Sequence, residues 1–120
     1  MNNLISIIIP VLNEEKQLPH LLESIKQQTF LNYEVIVADA DSTDRTVEIA
    51  NSYGVTVVKG GMPAKGRNAA TRAAHGDLLV FLDADVEIDR NFLTNVYNEM
   101  QERYLDLAKC EIIPMSQNSV

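Results

Sequence analysis

Ile5, Ile7, Ile8 and Ile9 crowd into Leu4-Ile5-Ser6-Ile7-Ile8-Ile9-Pro10, a run with no charge and a single hydroxyl, closed by a proline. Odd and even positions are both apolar, so a strand built from it has two faces to hide from water. Strands of that kind belong to parallel sheets covered by helices on both sides. The next segment supplies the helix that such a sheet requires. Leu18, Leu21, Leu22 and Ile25 stand at i, i+3, i+4 and i+7, the stripe of an amphipathic helix. The spacing predicts a helix from about Gln17 to near Gln28, with Pro19 tolerated only in its first turn.

The alternation then repeats. Glu34 to Ala38 reads as a strand and Thr43 to Ser52 as a helix, capped by Ser42 or Thr43 and ended by Gly54. Val55 to Val58 is a third strand, followed by the loop Lys59-Gly60-Gly61-Met62-Pro63. Ala64 to His75 is alanine-rich and helical, stopped by Gly76, and Leu78 to Leu82 is a fourth strand. Asp89 then caps a helix carrying Phe92, Leu93, Val96 and Met100 on one face, and Leu107 to Ile113 is a last strand before a polar tail, Ser116 to Ser119. Strands alternating with helices define an α/β domain, a mostly parallel central sheet flanked by helices, with right-handed crossovers. No linker interrupts it, and residues 1–120 read as one domain.

Composition narrows the partners. Ten Lys and Arg against 17 Asp and Glu give 10 − 17 = −7, too few cations for a surface that must displace the counterions of nucleic acid. The lone Cys110 makes neither an intrachain disulfide nor a cysteine zinc cluster. No basic flank and cleavage site mark a signal peptide, and no apolar run approaches the ~20 residues of a membrane span. The expectation is a soluble, cytoplasmic chain, with membrane association left open for a full-length protein.

In open parallel sheets, ligands sit beyond the carboxyl ends of the strands. Three of those ends carry acids: Asn13-Glu14-Glu15, Asp39-Ala40-Asp41-Ser42-Thr43-Asp44 and Asp83-Ala84-Asp85. In extended chain, residues i and i+2 share a side, so Asp83 and Asp85 are placed to converge. Two such carboxylates repel unless a cation lies between them, and oxygen ligands of this kind suit Mg²⁺ or Mn²⁺ held together with substrate phosphates. A lone D-x-D more often caps a turn. Here the pair directly ends a buried strand and a second acid pair ends another, which favours the metal. A basic cluster, Lys59, Lys65, Arg67 and Arg72, is threaded through Gly60, Gly61 and Gly66. Glycines allow close approach to an anion, and a helix amino end adds its dipole, so Lys65 and Arg67 are candidates to hold a diphosphate; a solvated helix face has the same sequence. Arg72 lies about 140° further round the helix from Arg67 and is consistent with either role.

Together these residues resemble the family 2 glycosyltransferases, which have the three-layer, Rossmann-like GT-A fold. The resemblance rests on Ser6 to Glu15, on Val37 to Asp44, on Gly66-Arg67-Asn68-Ala69-Ala70, and on Gly76-Asp77 with Phe81-Leu82-Asp83-Ala84-Asp85. These motifs stand in the family's order over Leu4 to Asp85. The resemblance implies metal-dependent, inverting transfer of a sugar from a nucleoside-diphosphate-sugar donor to an acceptor hydroxyl on a saccharide or lipid-linked molecule. It implies that Pro10, Val11, Asn13, Glu14, Asp39 and Asp41 bind the base and ribose, and that Lys65 and Arg67 seat the nucleotide. Asp83 then lies near the ribose and also completes the D-x-D pair, and Asp85 is the more direct metal ligand. Ala40 stands where the family often has a second acid, and Asp41 where it often has glycine, which leaves uridine and guanosine both open. The family's domain continues into an acceptor half that supplies the general base. No residue here matches that base, so the chain reads as the nucleotide-binding half.

Two rivals come from the same residues. Asp39-Ala40-Asp41-Ser42-Thr43 also fits the D-x-D-x-T of the haloacid-dehalogenase phosphatases, with Asp39 as nucleophile and Asp41 as acid and base. There the motif follows the first strand, whereas here it follows the second. The other rival is a nucleotide-binding or assembly module without turnover. A sugar nucleotidyltransferase needs a glycine-rich, arginine-containing loop after the first strand, and that loop is absent. His20, His75 and the tyrosines read as surface or core packing, and Cys110 as a small hydrophobe. With the acceptor half missing, Leu107 to Ile113 and the Phe92, Val96, Met100 face are expected to be partly uncovered and to drive homo-oligomerisation.

Overall fold

All four isoleucines of the first strand are fully buried, at 0% exposure, and the two faces they serve organise the molecule. The computed structural model describes residues 2–60 and 63–103, with the side chains of 63–67 outside that description. In chain order the elements are β1 (Ile5–Val11), α1 (Leu18–Lys26), β2 (Tyr33–Asp39), α2 (Thr46–Ser52), β3 (Thr56–Lys59), α3 (Pro63–Ala73), β4 (Leu78–Phe81) and α4 (Phe92–Glu102). The expected strand Leu107 to Ile113, with Cys110 and the polar tail, lies outside the described residues.

Successive side chains of a strand point to opposite faces, and the core divides accordingly. Ile5, Ile7, Ile9 and Val11, with Val35, Val37 and Val80, meet the stripe Leu18, Leu21, Leu22 and Ile25 of α1, Ala50 of α2, and Leu93, Val96 and Met100 of α4. Ile8, Ile36 and Ala38 face the other way, onto Ala70 of α3. This is the three-layer arrangement expected. Val96 and Met100 are only 5% and 8% exposed, so the α4 face expected to be uncovered is instead packed into the core of its own chain. Its spacing made it apolar, and the sheet was close enough to take it.

The strands are parallel and run in the order β3-β2-β1-β4. The chain winds outward from β1 through β2 to β3, then returns over the other face to place β4 on β1's far side. The direction of winding therefore reverses between β1 and β4, and the crevice beyond their carboxyl ends is the usual ligand site of such a sheet.

The helix ends differ from the sequence expectation in instructive ways. Pro19 does sit in the first turn of α1, and Gly54 ends α2 with φ of 73°, a conformation that costs glycine nothing. The second helix, however, begins at Thr46 rather than Thr43. The Thr43 and Asp44 N–H groups donate to Asn13 Oδ1 instead of entering a helix, and Asp44 Oδ1 accepts from Thr46 N. Asp89 is not the cap of α4. Its carboxylate accepts from Asn91 N in the preceding turn, and the Leu93 N–H of the first helical turn is taken by Gln28 from across the domain.

At the amino ends of the strands, Glu34 ties α3 to the sheet. Its Oε2 accepts from Ser6 Oγ and from His75 N, both at 2.6 Å, while Oε1 lies 3.1 Å from His75 Nδ1. Burial is the largest influence on this carboxyl and pushes its pKa up, but the hydrogen bonds from Ser6 and His75, with the His75 charge, outweigh it and hold the pKa below 4.5. A depressed carboxylate stabilises the fold above its unfolded pKa and loses that contribution as pH falls through the folded one. Thermal melts between roughly pH 5 and pH 3 should thus show a loss of stability that Glu34→Gln flattens. Parallel slopes in the two proteins would assign the acid sensitivity elsewhere.

Candidate functional site

Beyond β1 and β2 the two following loops are laced together. Asn13 N donates to Ser42 Oγ at 2.9 Å, and Asn13 Oδ1 accepts from Thr43 N at 2.8 Å and Asp44 N at 3.3 Å. Glu14 N donates to Thr46 Oγ1 at 2.8 Å, Glu15 N to Asp44 Oδ2 at 3.2 Å, and Arg45 N to Glu15 Oε1 at 3.0 Å. Asn13 and Asp41 adopt positive φ, 53° and 62°, the left-handed region that Asn and Asp enter more readily than most residues. That turn lets the Asn13 amide reach the second loop while Glu14 is carried towards the crevice.

The sequence-predicted residues occupy distinct places around this lacing. Asp39 ends β2 and accepts from Ser42 N with both oxygens, at 3.3 and 3.2 Å. Asp41 is exposed at the tip of the loop, and Pro10 is half-buried at the end of β1. The Val11 side chain belongs to the core, and its carbonyl accepts from Ala40 N. Lys65 and Arg67 fall in the first half of α3, which follows the carboxyl end of β3, and their side chains lie outside the described residues. Arg72 is in the last turn of α3, the end of that helix that leads away from the crevice, towards the amino ends of the strands.

Across the winding reversal, Leu82 N still pairs with Ile8 O, but Val86 N then closes a turn onto Asp83 O at 3.2 Å. The D-x-D segment is thus a turn, not the extended chain expected from the sequence. The outcome for the side chains is nevertheless the same: Asp83 and Asp85 are exposed while Ala84 between them is 3% exposed and held in the core. Glu14, after β1, lies within electrostatic reach of both. Its pKa is raised first by burial, then by the negative charges of Asp85, Asp44 and Asp83. Four carboxylates from three loops therefore share one field, and that field favours a cation. Among the described residues no three ligating side chains form a ready-made metal cluster. One or two carboxylates are the protein donors that Mg²⁺ or Mn²⁺ takes when phosphate oxygens complete the shell, so the residue types present fit such an ion.

Thr46, wholly buried, and Ser42 were missed as site-building residues. The available signal was Asp44-x-Thr46 just before an apolar helix face, a local side-chain to backbone motif.

A parallel sheet with acids gathered at its winding reversal defines a GT-A type of fold, and solved structures of that type share it. S. aureus TarS 1–349 in complex with UDP-GlcNAc superimposes with a TM-score of 0.77 at 33% identity, covering 83% of this chain and 32% of that one. The mannosyltransferase PcManGT from Pyrobaculum calidifontis, in complex with GDP-Man and Mn²⁺, superimposes at 0.74 with 28% identity, covering 80% and 32%. Residues 6–119 match Glycosyl transferase family 2, and the chain belongs to that family. A 4,4'-diaponeurosporenoate glycosyltransferase of Staphylococcus haemolyticus is 45% identical over 94 residues, 71% of this chain and 25% of the relative. Glycosyltransferase GlyG of Streptococcus pneumoniae is 32% identical over 117 residues, 90% and 38%. The chain thus spans a quarter to two-fifths of the length of these relatives. Family membership displaces the phosphatase reading of Asp39 and Asp41. No helix among the described residues is long and apolar enough to cross a membrane.

Proposed function

We propose that this chain is the donor-binding part of a metal-dependent, inverting glycosyltransferase that uses a nucleoside-diphosphate-sugar. The observation that carries the reading is that Asp83 and Asp85 follow β4 across the winding reversal from Glu14, whose carboxyl is raised by burial and by their charges. Asp85 and Asp83 are the residues that would hold Mg²⁺ or Mn²⁺. Bound there, the ion would supply Lewis-acid neutralisation of the diphosphate as it leaves the anomeric carbon.

The chain's own residues do the rest. Pro10, Val11, Asn13, Glu14, Asp39 and Asp41 line the nucleoside end, their loops held in place by the lacing through Asn13, Ser42 and Thr46. Lys65 and Arg67 sit on a helix whose amino end follows β3, where the helix dipole and two cations favour a diphosphate. The acceptor hydroxyl attacks the anomeric carbon opposite the departing diphosphate, and its proton passes to a base outside the residues assigned here. TarS, a poly(ribitol-phosphate) β-N-acetylglucosaminyltransferase in S. aureus, illustrates such an acceptor class and supports a saccharide or polyol hydroxyl.

Calorimetry with UDP and with GDP, each with and without Mn²⁺, tests the reading. Binding of at least one nucleotide should require the cation. Equal affinity in its presence and absence would remove Asp83 and Asp85 from a metal role.

A further inference from the structure

Gln28, a long polar side chain just after α1, is only 3% exposed. Its amide bonds three separate segments. Its Nε2 donates to Asp89 O at 2.6 Å and to Ser24 O at 3.1 Å, and its Oε1 accepts from Leu93 N at 3.0 Å. One amide thereby joins the carboxyl end of α1, the segment leading away from Asp85, and the first turn of α4. Its neighbours grip the same segment. Thr29 N donates to Arg90 O at 2.9 Å, Thr29 Oγ1 bonds Arg90 O, Asn91 Oδ1 and Thr94 Oγ1, and Phe30 meets Tyr97 with ring centroids 4.9 Å apart.

The other end of α1 reaches the site. Gln17 N and Leu18 N both donate to Glu14 O, at 3.2 and 2.9 Å. Helix α1 is thus a strut with the Glu14 backbone at its head and Gln28 at its foot. Within the turn Asp83–Val86, Val86 N donates to Asp83 O at 3.2 Å, and the segment after it sets where the exit of the turn lies. That segment is fastened by Ile88 in the core and by Gln28 on Asp89 O.

We infer that Gln28 is a positioning residue, holding the Asp83–Asp85 turn at a set distance from Glu14 by tying the exit of that turn to the foot of α1. The inference rests on the metal and nucleotide reading given above. An apolar side chain of the same length fills the volume but takes the Gln28 amide away from Ser24 O and Leu93 N and leaves Asp89 O with Phe92 N alone. The turn is then free to sample other positions, and ordering it falls to the ligand, which weakens binding.

The test uses the full chain and three proteins: wild type, Gln28→Met, and Met100→Ala as a destabilised control at the far end of α4. Mn²⁺ affinity is read by electron paramagnetic resonance with saturating UDP or GDP, well below every melting temperature. Gln28→Met should raise the Mn²⁺ Kd about tenfold, the lower end of what loss of outer support costs a metal site, while Met100→Ala leaves it unchanged. An unchanged Kd in Gln28→Met, or an equal rise in Met100→Ala, overturns the positioning role. If Gln28→Met does not fold, Gln28→Glu is read in its place, since it keeps the acceptor for Leu93 N and loses the donors to Asp89 O and Ser24 O. Absence of nucleotide-dependent Mn²⁺ binding in the wild type overturns both this inference and the proposed function. Binding in the wild type with unaltered variants overturns this inference alone.

Discussion

Asp85→Asn is expected to abolish the Mn²⁺-dependent part of nucleotide binding while leaving the melting temperature where it was. The substitution keeps the shape and removes one unit of charge from a site that gathers four carboxylates. At contact distance near a surface, a unit charge pair interacts by roughly 3–4 kcal/mol, so the metal-dependent affinity should fall by a few hundredfold, on the order of the whole metal-dependent gain. Stability is spared because the turn is closed by backbone, Val86 N onto Asp83 O, and anchored by the buried Ala84 methyl. The same variant carries a second readout. Asp85 is the leading charge among those that raise the Glu14 carboxyl, so a carbon-detected titration should find the Glu14 pKa lowered in Asp85→Asn. A variant that melts earlier and binds nucleotide and metal as before would make Asp85 a turn residue and nothing more.

The second large effect concerns the opposite end of the sheet. A Cβ built on Gly76 would lie 2.6 Å from Leu4 O, 2.6 Å from Ser6 Oγ and 2.8 Å from Ser6 N. Two of these atoms are backbone, in and beside the strand at the centre of the sheet, and cannot step aside. Gly76 N also donates to Ser6 Oγ at 2.8 Å, which the same displacement would break. Gly76→Ala should therefore cost ~3 kcal/mol or more, at the upper end of overpacking effects, and lower the melting temperature by roughly 10 °C. Gly54 is the contrast. Its φ is 73° and an added Cβ would find nothing within 4 Å, so Gly54→Ala pays only for the left-handed backbone, ~1 kcal/mol. Comparable melting of the two variants would show that the close approach at Gly76 relaxes easily.

The amino-acid sequence on its own determined the class of fold. Ile5, Ile7, Ile8 and Ile9 leave no polar face, which demands cover on both sides. The stripe Leu18, Leu21, Leu22, Ile25 provides cover at the right interval, and repetition of the pair does the rest. The places where acids follow strands were legible for the same reason, since a change from apolar run to acid marks both the strand end and the edge of the core. Such signals are local, carried by spacing within a few residues.

The tertiary structure decided whatever depends on residues far apart in the chain. The order β3-β2-β1-β4 brings Glu14 within the electrostatic reach of Asp83 and Asp85, although some seventy positions separate them, and no local pattern encodes that approach. Caps moved for the same reason. A cap predicted from the nearest Ser, Thr or Asp assumes that the helix satisfies its own amino end, but the N–H of Leu93 found Gln28, and those of Thr43 and Asp44 found Asn13. A buried donor takes the best acceptor in space, whatever its position in sequence. Gln28 thus reads from the sequence as one more polar residue at a helix end, and only the approach of the chain after α1 to the start of α4 turned it into a tie.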